Sequence, residues 1–317
     1  MKKYLLIILV ASFAFPLNLS DLSTKSDDNS ILWKIEKNGD VSYLFGTTHV
    51  MCDYEMKYKN LLDDLVQFAD IVVFESEDED TEQPPSIGNS FFDTEIPESY
   101  KTKNALTQKD LDKFSIFLEK EGIPSELKSM LLNTDLVSLN FILGLGCVLG
   151  ELYQNCGEEN ITGSEIYIEN IMKNQQTYYL EDDNEVKLVM SMLIDYVFIN
   201  KETAITTDEI IDAYEFDCYT DSGEILTKYY NNNDIKGEME WLEREASQRT
   251  DYTKVVSDAF DDILIKYRNE LWIPKMEYII NNHYNDNILF AVGAFHLFDL
   301  VERLRLRGYK VSALNVY

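Results

Sequence analysis

The chain has 317 residues, 45% of them hydrophobic and 12% aromatic, enough for a sizeable core and too many for global disorder. Its 57 Asp and Glu against 28 Lys and Arg leave a formal net charge of −29. That charge opposes binding to nucleic acid or to an anionic membrane surface, and suits a cation or a basic peptide segment instead.

Met1-Lys2-Lys3 precedes an apolar run from Tyr4 to Phe15, a basic start and apolar core of signal-peptide length. The run is too short and too terminal for a typical spanning helix. A signal peptide ending near residue 20 is expected, and with it export to a secreted, periplasmic or cell-surface location. Leu136 to Leu149 is interrupted by Ser138 and Asn140 and reads as a buried helix, so no stable membrane span is expected after signal removal. The cysteines, Cys52, Cys147, Cys156 and Cys218, then lie in a disulfide-permissive compartment. None forms a C-x-x-C pair. Cys147 with Cys156 is a plausible local bridge, leaving Cys52 with Cys218, although three connectivities are open.

The mature chain opens as a hairpin, Ile31 to Glu36 and Val41 to Phe45, around the strong turn signal Asn38-Gly39. Helical spacing follows from Glu55 to Phe68, then a buried strand from Asp70 to Phe74 that ends at Glu75. Residues 76–100 are acidic and proline-bearing and read as a long exposed loop. From about 105 to 285 the pattern is mainly helical. Thr107 to Asp110 fits a capping box, with Gly122 and Pro124 closing that helix. Further helices fit 125–132, 134–153, 164–173, 183–200, 207–231 and, with breaks, 236–283. A strand from Gln176 to Leu180 interrupts them and closes on Glu181. The chain ends as strand Ile288–Val292, helix Leu297–Arg307 and strand Tyr309–Val316. The expected class is α/β: a central sheet from the N- and C-terminal parts with a large inserted helical layer.

Two of the three histidines share one frame, Gly46-Thr47-Thr48-His49 and Gly293-Ala294-Phe295-His296. Each follows an apolar run that reads as a strand, so each histidine stands just beyond a strand's carboxyl end, where open α/β sheets bind ligands. The glycine is read as the residue that lets the chain leave the strand sharply. Four strand ends therefore carry His49, Glu75, Glu181 and His296. Imidazole and carboxylate together suit a divalent transition metal, Zn, Mn, Co or Fe, in a catalytic site. H-E-x-x-H, a nucleophile elbow, a P-loop and a dinucleotide fingerprint are all missing from the sequence. His283 lies in a polar stretch and reads as a surface residue.

The paired motifs resemble the TraB/GumN/PrgY family, which includes the Tiki membrane metalloproteases. The resemblance is carried by Trp33-Lys34-Ile35, Tyr43 to Val50, Ala69 to Glu75, Gly163 with Ile166-Tyr167-Ile168, and Tyr179-Leu180-Glu181. It continues through Tyr267 to Trp272, Phe290 to Leu297, and Leu304 to Val311. It implies one domain over 31–317 and a divalent-metal site built from His49, His296 and acidic residues, with Glu75 and Glu181 as ligand or general base. Phe295 departs from the commonest pattern, where a small residue is usual, and is expected to crowd the site. The C-terminal anchor of Tiki proteins is not matched, which suggests a soluble exported form.

The expected function is a metal-dependent hydrolase, a peptidase acting on exported or extracellular peptides or proteins. Arg268 is the candidate for holding a substrate carboxylate or developing negative charge. The competing expectation is a non-catalytic protein that binds haem, a metal or a peptide pheromone.

Overall fold

A computed structural model describes residues 19, 22–77, 96–200, 205–219, 222–248 and 250–316. The signal-peptide expectation and most of the acidic loop lie outside these residues. Strands β1 (Leu32–Lys37) and β2 (Asp40–Thr47) form the hairpin, and Asn38 and Gly39 both take positive φ, at 56° and 103°. That pair of left-handed residues is what a two-residue turn needs to match strand twist, and Asn-Gly supplies it at least cost.

The main sheet has six strands in the order β6-β4-β7-β2-β1-β8, with β4 at Ile71–Ser76, β6 at Gln176–Glu181, β7 at Ile288–Gly293 and β8 at Lys310–Ala313. The neighbours β6, β4, β7 and β2 run parallel, while β1 is antiparallel to both β2 and β8. The fold is thus mixed α/β, with a sheet assembled from both ends of the chain and helices around it. Strands β4 and β7 are covered on both faces and read as unbroken apolar runs, as interior parallel strands must. One face packs on Leu61, Leu62, Leu65 and Ile168; the other packs on Trp272, Met276, Leu297 and Leu300. A third apolar cluster holds the inserted helices together around Phe114, Leu136, Leu193 and Ile210.

Helix Gln108–Lys120 starts where the capping box places it, Thr107 accepting from the Asp110 N–H. Helix Leu136–Cys156 begins later than expected because Asp135, not Thr134, caps it, and it runs to 21 residues. By length and apolar composition it passes as a membrane span, yet 41% of its most apolar window is buried within the protein. The span expected over 207–231 is two helices, Thr207–Tyr219 and Ser222–Asn231. The stretch 236–283 resolves into Ile235–Ser247, Asp251–Ala259, a π-helical segment Phe260–Tyr267 and Arg268–Asn282.

A two-stranded ribbon escaped the sequence pattern. Here β3 (Met51–Cys52) pairs with β5 (Ile161–Thr162), each too short to carry a period. A disulfide joins Cys52 to Cys156, with Cα atoms 5.9 Å apart, which overturns both expected pairings, Cys147–Cys156 and Cys52–Cys218. Cys147 and Cys156 lie on one continuous helix, so the ribbon partner, which is remote in sequence, reaches Cys156 instead.

Candidate active site

The four parallel strands end side by side, so a row of side chains forms along one sheet edge: Glu181 at the end of β6, Glu75 on β4, His296 after β7 and His49 after β2. The register fixes the spacing, with Ser76 opposite Glu181 and Thr47 opposite Gly293. Gly293 marks the centre. A Cβ placed on it would lie 3.0 Å from Glu75 Oε1, 3.5 Å from His296 Cδ2 and 3.9 Å from His49 Nε2. Three side chains from three remote segments therefore converge over one hydrogen atom.

That crowding, not a turn, explains the glycines. Neither Gly46 nor Gly293 has a positive φ. A Cβ on Gly46 would approach Leu297 Cδ1 to 2.6 Å and the Ala294 backbone to 3.0 Å. The expectation that glycine was needed to bend the chain is corrected to one of space.

His296 is buried, and its ring lies 4.4 Å from that of Trp272. Its Nδ1 is 2.7 Å from Asn269 Oδ1. Asn269 uses its Nδ2 to donate to the His296 carbonyl and to Asp299, so its oxygen is the acceptor and His296 Nδ1 carries the proton. The other nitrogen, Nε2, is left with a bare lone pair. Burial, reinforced by the Arg268 charge, pulls the pKa of His296 down to about 3 against the opposing pull of Glu75. The imidazole is neutral at physiological pH.

His49 takes the opposite state. Its side chain is 65% exposed and pairs through Nδ1 with Glu165 Oε2 at 2.8 Å. The Glu165 charge holds the His49 pKa well above its usual value, outweighing desolvation. Glu165 lies in the first turn of the helix Ser164–Ile171, which is locked to the first motif. Ser164 N–H donates to the Thr48 carbonyl at 2.9 Å, and Thr48 N–H donates to Ser164 Oγ at 2.8 Å. A Cβ on Gly163 would strike the His49 carbonyl oxygen at 2.3 Å. Tyr230 closes the back of the junction, donating to the Gly46 carbonyl at 2.9 Å.

Between the carboxylates stands Arg268, the first residue after the π-helical segment. Its guanidinium grips both Glu181 oxygens, Nη2 to Oε1 and Nε to Oε2 at 3.1 Å, and donates from Nη2 to Glu75 Oε2 at 2.8 Å. Its Nη1 lies 3.4 Å from His296 Nε2, and its plane stands 4.7 Å above Trp272. Trp272 Nε1–H also donates to Glu181 Oε2 at 3.1 Å. Burial alone would raise the pKa of Glu75, but Arg268 and the neighbouring imidazoles override it and hold it at about 2. Glu181 is pushed up by burial despite Arg268.

All five residues expected from the sequence, His49, Glu75, Glu181, Arg268 and His296, therefore meet at this edge. Three others were missed. Asn269 and Trp272 were legible in principle, being adjacent to and one helical turn beyond Arg268. Glu165 has no such signal, because only the Ser164–Thr48 junction brings it to His49. The Phe295 ring packs edge-on against Phe260 at 6.4 Å. His283, expected at the surface, is partly exposed there and bridges Asp286 and Tyr178 at 2.9 and 3.0 Å.

A family profile described as the TraB/PrgY/gumN family matches residues 31–313, which is nearly the whole chain. The chain belongs to the TraB/PrgY/gumN family. The match spans both G-x-x-H motifs, the Glu75 and Glu181 strand ends and the Arg268-Asn269 pair. No individually curated protein matches this member of the family.

As to a metal, the donors divide. The two imidazoles suit one: each has Nδ1 tied by a carboxylate or amide oxygen, which fixes the ring and leaves Nε2 for coordination. Glu75 Oε1, which accepts from Gly293 N–H at 2.5 Å, lies 3.8 Å from His296 Nε2. Glu181 has both oxygens engaged by Arg268 and Trp272. Among the described residues, no group of three or more His, Cys, Asp or Glu is arranged to hold a metal ion as it stands.

Proposed function

We propose that this family member is a metal-dependent hydrolase, a peptidase acting on exported or extracellular peptides or proteins. The observation that carries the reading is the meeting of His49 Nε2, the His296 ring and Glu75 Oε1 above Gly293, with His296 Nε2 3.8 Å from Glu75 Oε1. A site built of two imidazole nitrogens and one carboxylate is the donor set of divalent transition metals with open positions. Such an ion supplies Lewis acidity toward a carbonyl and a water acidic enough to attack near neutral pH.

The chain's own residues would divide the rest. Asn269 and Glu165 orient the imidazoles. Glu181 and Trp272 hold the Arg268 guanidinium, whose planar fork suits a substrate carboxylate or the negative charge that develops on a carbonyl oxygen. Glu75, ionised at neutral pH and facing both imidazoles, is the group placed to accept a proton from an attacking water or to complete the ligand set. The Cys52–Cys156 disulfide supports an exported, oxidising location.

The test is metal analysis of the purified mature protein, followed by a broad peptide-library digest after reconstitution with Zn, Mn, Co or Fe. His49→Ala or His296→Ala should lower occupancy and abolish cleavage. Equal metal content in wild type and both variants would refute the metal site. Metal retention without cleavage would favour the non-catalytic binding reading.

A further inference from the structure

Arg268 contacts two of the residues that a metal would need, His296 and Glu75. An imidazole nitrogen has a single in-plane lone pair, and a guanidinium can only donate. His296 Nδ1 is committed as a donor to Asn269, so Nε2 is the ring's sole acceptor, and Arg268 Nη1 stands 3.4 Å from it. That lone pair can face Arg268 or a metal ion, but not both. The neighbouring Nη2 simultaneously neutralises Glu75 through Oε2 at 2.8 Å. Two members of the candidate ligand set thus already face one internal cation.

We infer that Arg268 is an exchangeable cation stand-in, which occupies the ligand side of the site until a divalent metal displaces it. The inference rests on the metal reading above and concerns how that site is filled. The geometry shows how displacement can occur without losing the arginine. Nε and Nη2 form a two-point fork on Glu181, and the guanidinium lies over the Trp272 ring at 4.7 Å. These contacts fall on Glu181 and Trp272 and leave out His49, His296 and Glu75. Releasing His296 and Glu75 would leave Arg268 tethered beside the metal, with its Nη1 donors free toward the cleft. The same movement would uncover the ligands and turn the guanidinium toward substrate. Metal affinity should consequently be moderate and exchangeable, because each binding event must break an existing contact.

Zn2+ titration of the chelator-stripped mature protein tests this, comparing wild type with Arg268→Gln, Arg268→Lys and the double variant Arg268→Gln/Glu181→Gln. Removing Arg268 should tighten metal binding, by about 10- to 100-fold, the scale on which residues that touch a metal's ligands alter its affinity. Arg268→Lys, which keeps the charge without the fork, should also bind more tightly than wild type, separating contact from simple repulsion. The double variant removes the buried pair together and keeps the test available if Arg268→Gln does not fold. Circular dichroism reports folding of each. Affinity equal to or weaker than wild type in the folded Arg268 variants would overturn the inference while leaving the metal site intact. Failure of the metal reading has a different signature: no Zn2+ binding in any form, or binding that His49→Ala and His296→Ala leave unchanged.

Discussion

The two G-x-x-H motifs share a sequence frame and a place at the end of parallel strands, yet their histidines live in opposite surroundings. His296 is buried beneath Trp272, neutral, and oriented by the uncharged Asn269. His49 stands at the open side of the cleft, with its side chain 65% exposed and Glu165 favouring its protonated form. The frame sets where the ring begins; the covering layer sets its charge. On the His296 side that layer is helix Arg268–Asn282, packed against the strand ends. On the His49 side it is only the start of helix Ser164–Ile171, held by backbone contacts and by the β3–β5 ribbon.

The comparison breaks most severely at Trp272. Trp272→Ala removes a fully buried ring from over His296 and a donor from Glu181, and should cost about 3–5 kcal/mol in urea unfolding. On the open side the corresponding break is the double variant Cys52→Ala/Cys156→Ala. It unties a loop of sequence separation 104 and should cost about 2–5 kcal/mol, while leaving the tautomer of His296 unchanged in nitrogen-15 spectra. Asn269→Leu strands a buried imidazole N–H and should cost about 1–3 kcal/mol, measured the same way. Glu165→Gln is the mildest. Because His49 is largely exposed, the stability loss should stay below about 1 kcal/mol, while the His49 pKa falls.

Acid and alkali separate the two rings by sign. His296 has a lowered folded pKa, so the unfolded chain takes up its proton first. Stability is full above the unfolded value near 6.5 and is lost as pH falls toward about 3. His49 has a raised folded pKa, so its smaller contribution is full below the unfolded value and is lost as pH rises through about 9. Glu238 acts on the alkaline side as well. Burial raises its pKa to about 8, and one of its oxygens has no hydrogen-bond partner, so the fold favours its neutral form. Its stabilisation declines from about pH 4.5 to 8. Glu238→Gln should flatten the alkaline limb of thermal melts and leave the acid limb unchanged.

Much of this edge was legible because each strand ends on a residue that breaks an apolar run: Glu75 after Val72-Val73-Phe74, Glu181 after Leu180. The repeated G-x-x-H frame linked the ends of the chain, and parallel pairing of β2 with β7 is the physical form of that link. What stayed hidden depends on contacts without a period. Glu165 reaches His49 through a serine–backbone junction, and the ribbon that carries Cys52 is two residues long. The role of Arg268 was half legible: a cation was expected beside substrate, but its grip on Glu75 and Glu181 follows only from the packing of helix Arg268–Asn282 across β6 and β4. The reason for Gly46 and Gly293 was likewise hidden, since clearance from Ala294, Leu297 and Glu75 exists only once the strands are adjacent.

The central claim, that the two motifs form one site, is open to a single spectrum, since the chain contains only three histidines. Imidazole carbon–proton signals of the protein, followed during addition of paramagnetic Co2+, should shift or broaden together for His49 and His296 and at the same metal concentration. His283, held at the far end of helix Arg268–Asn282 by Asp286 and Tyr178, should stay sharp. Broadening of His49 alone, or of His283 as readily as the other two, would contradict a shared site.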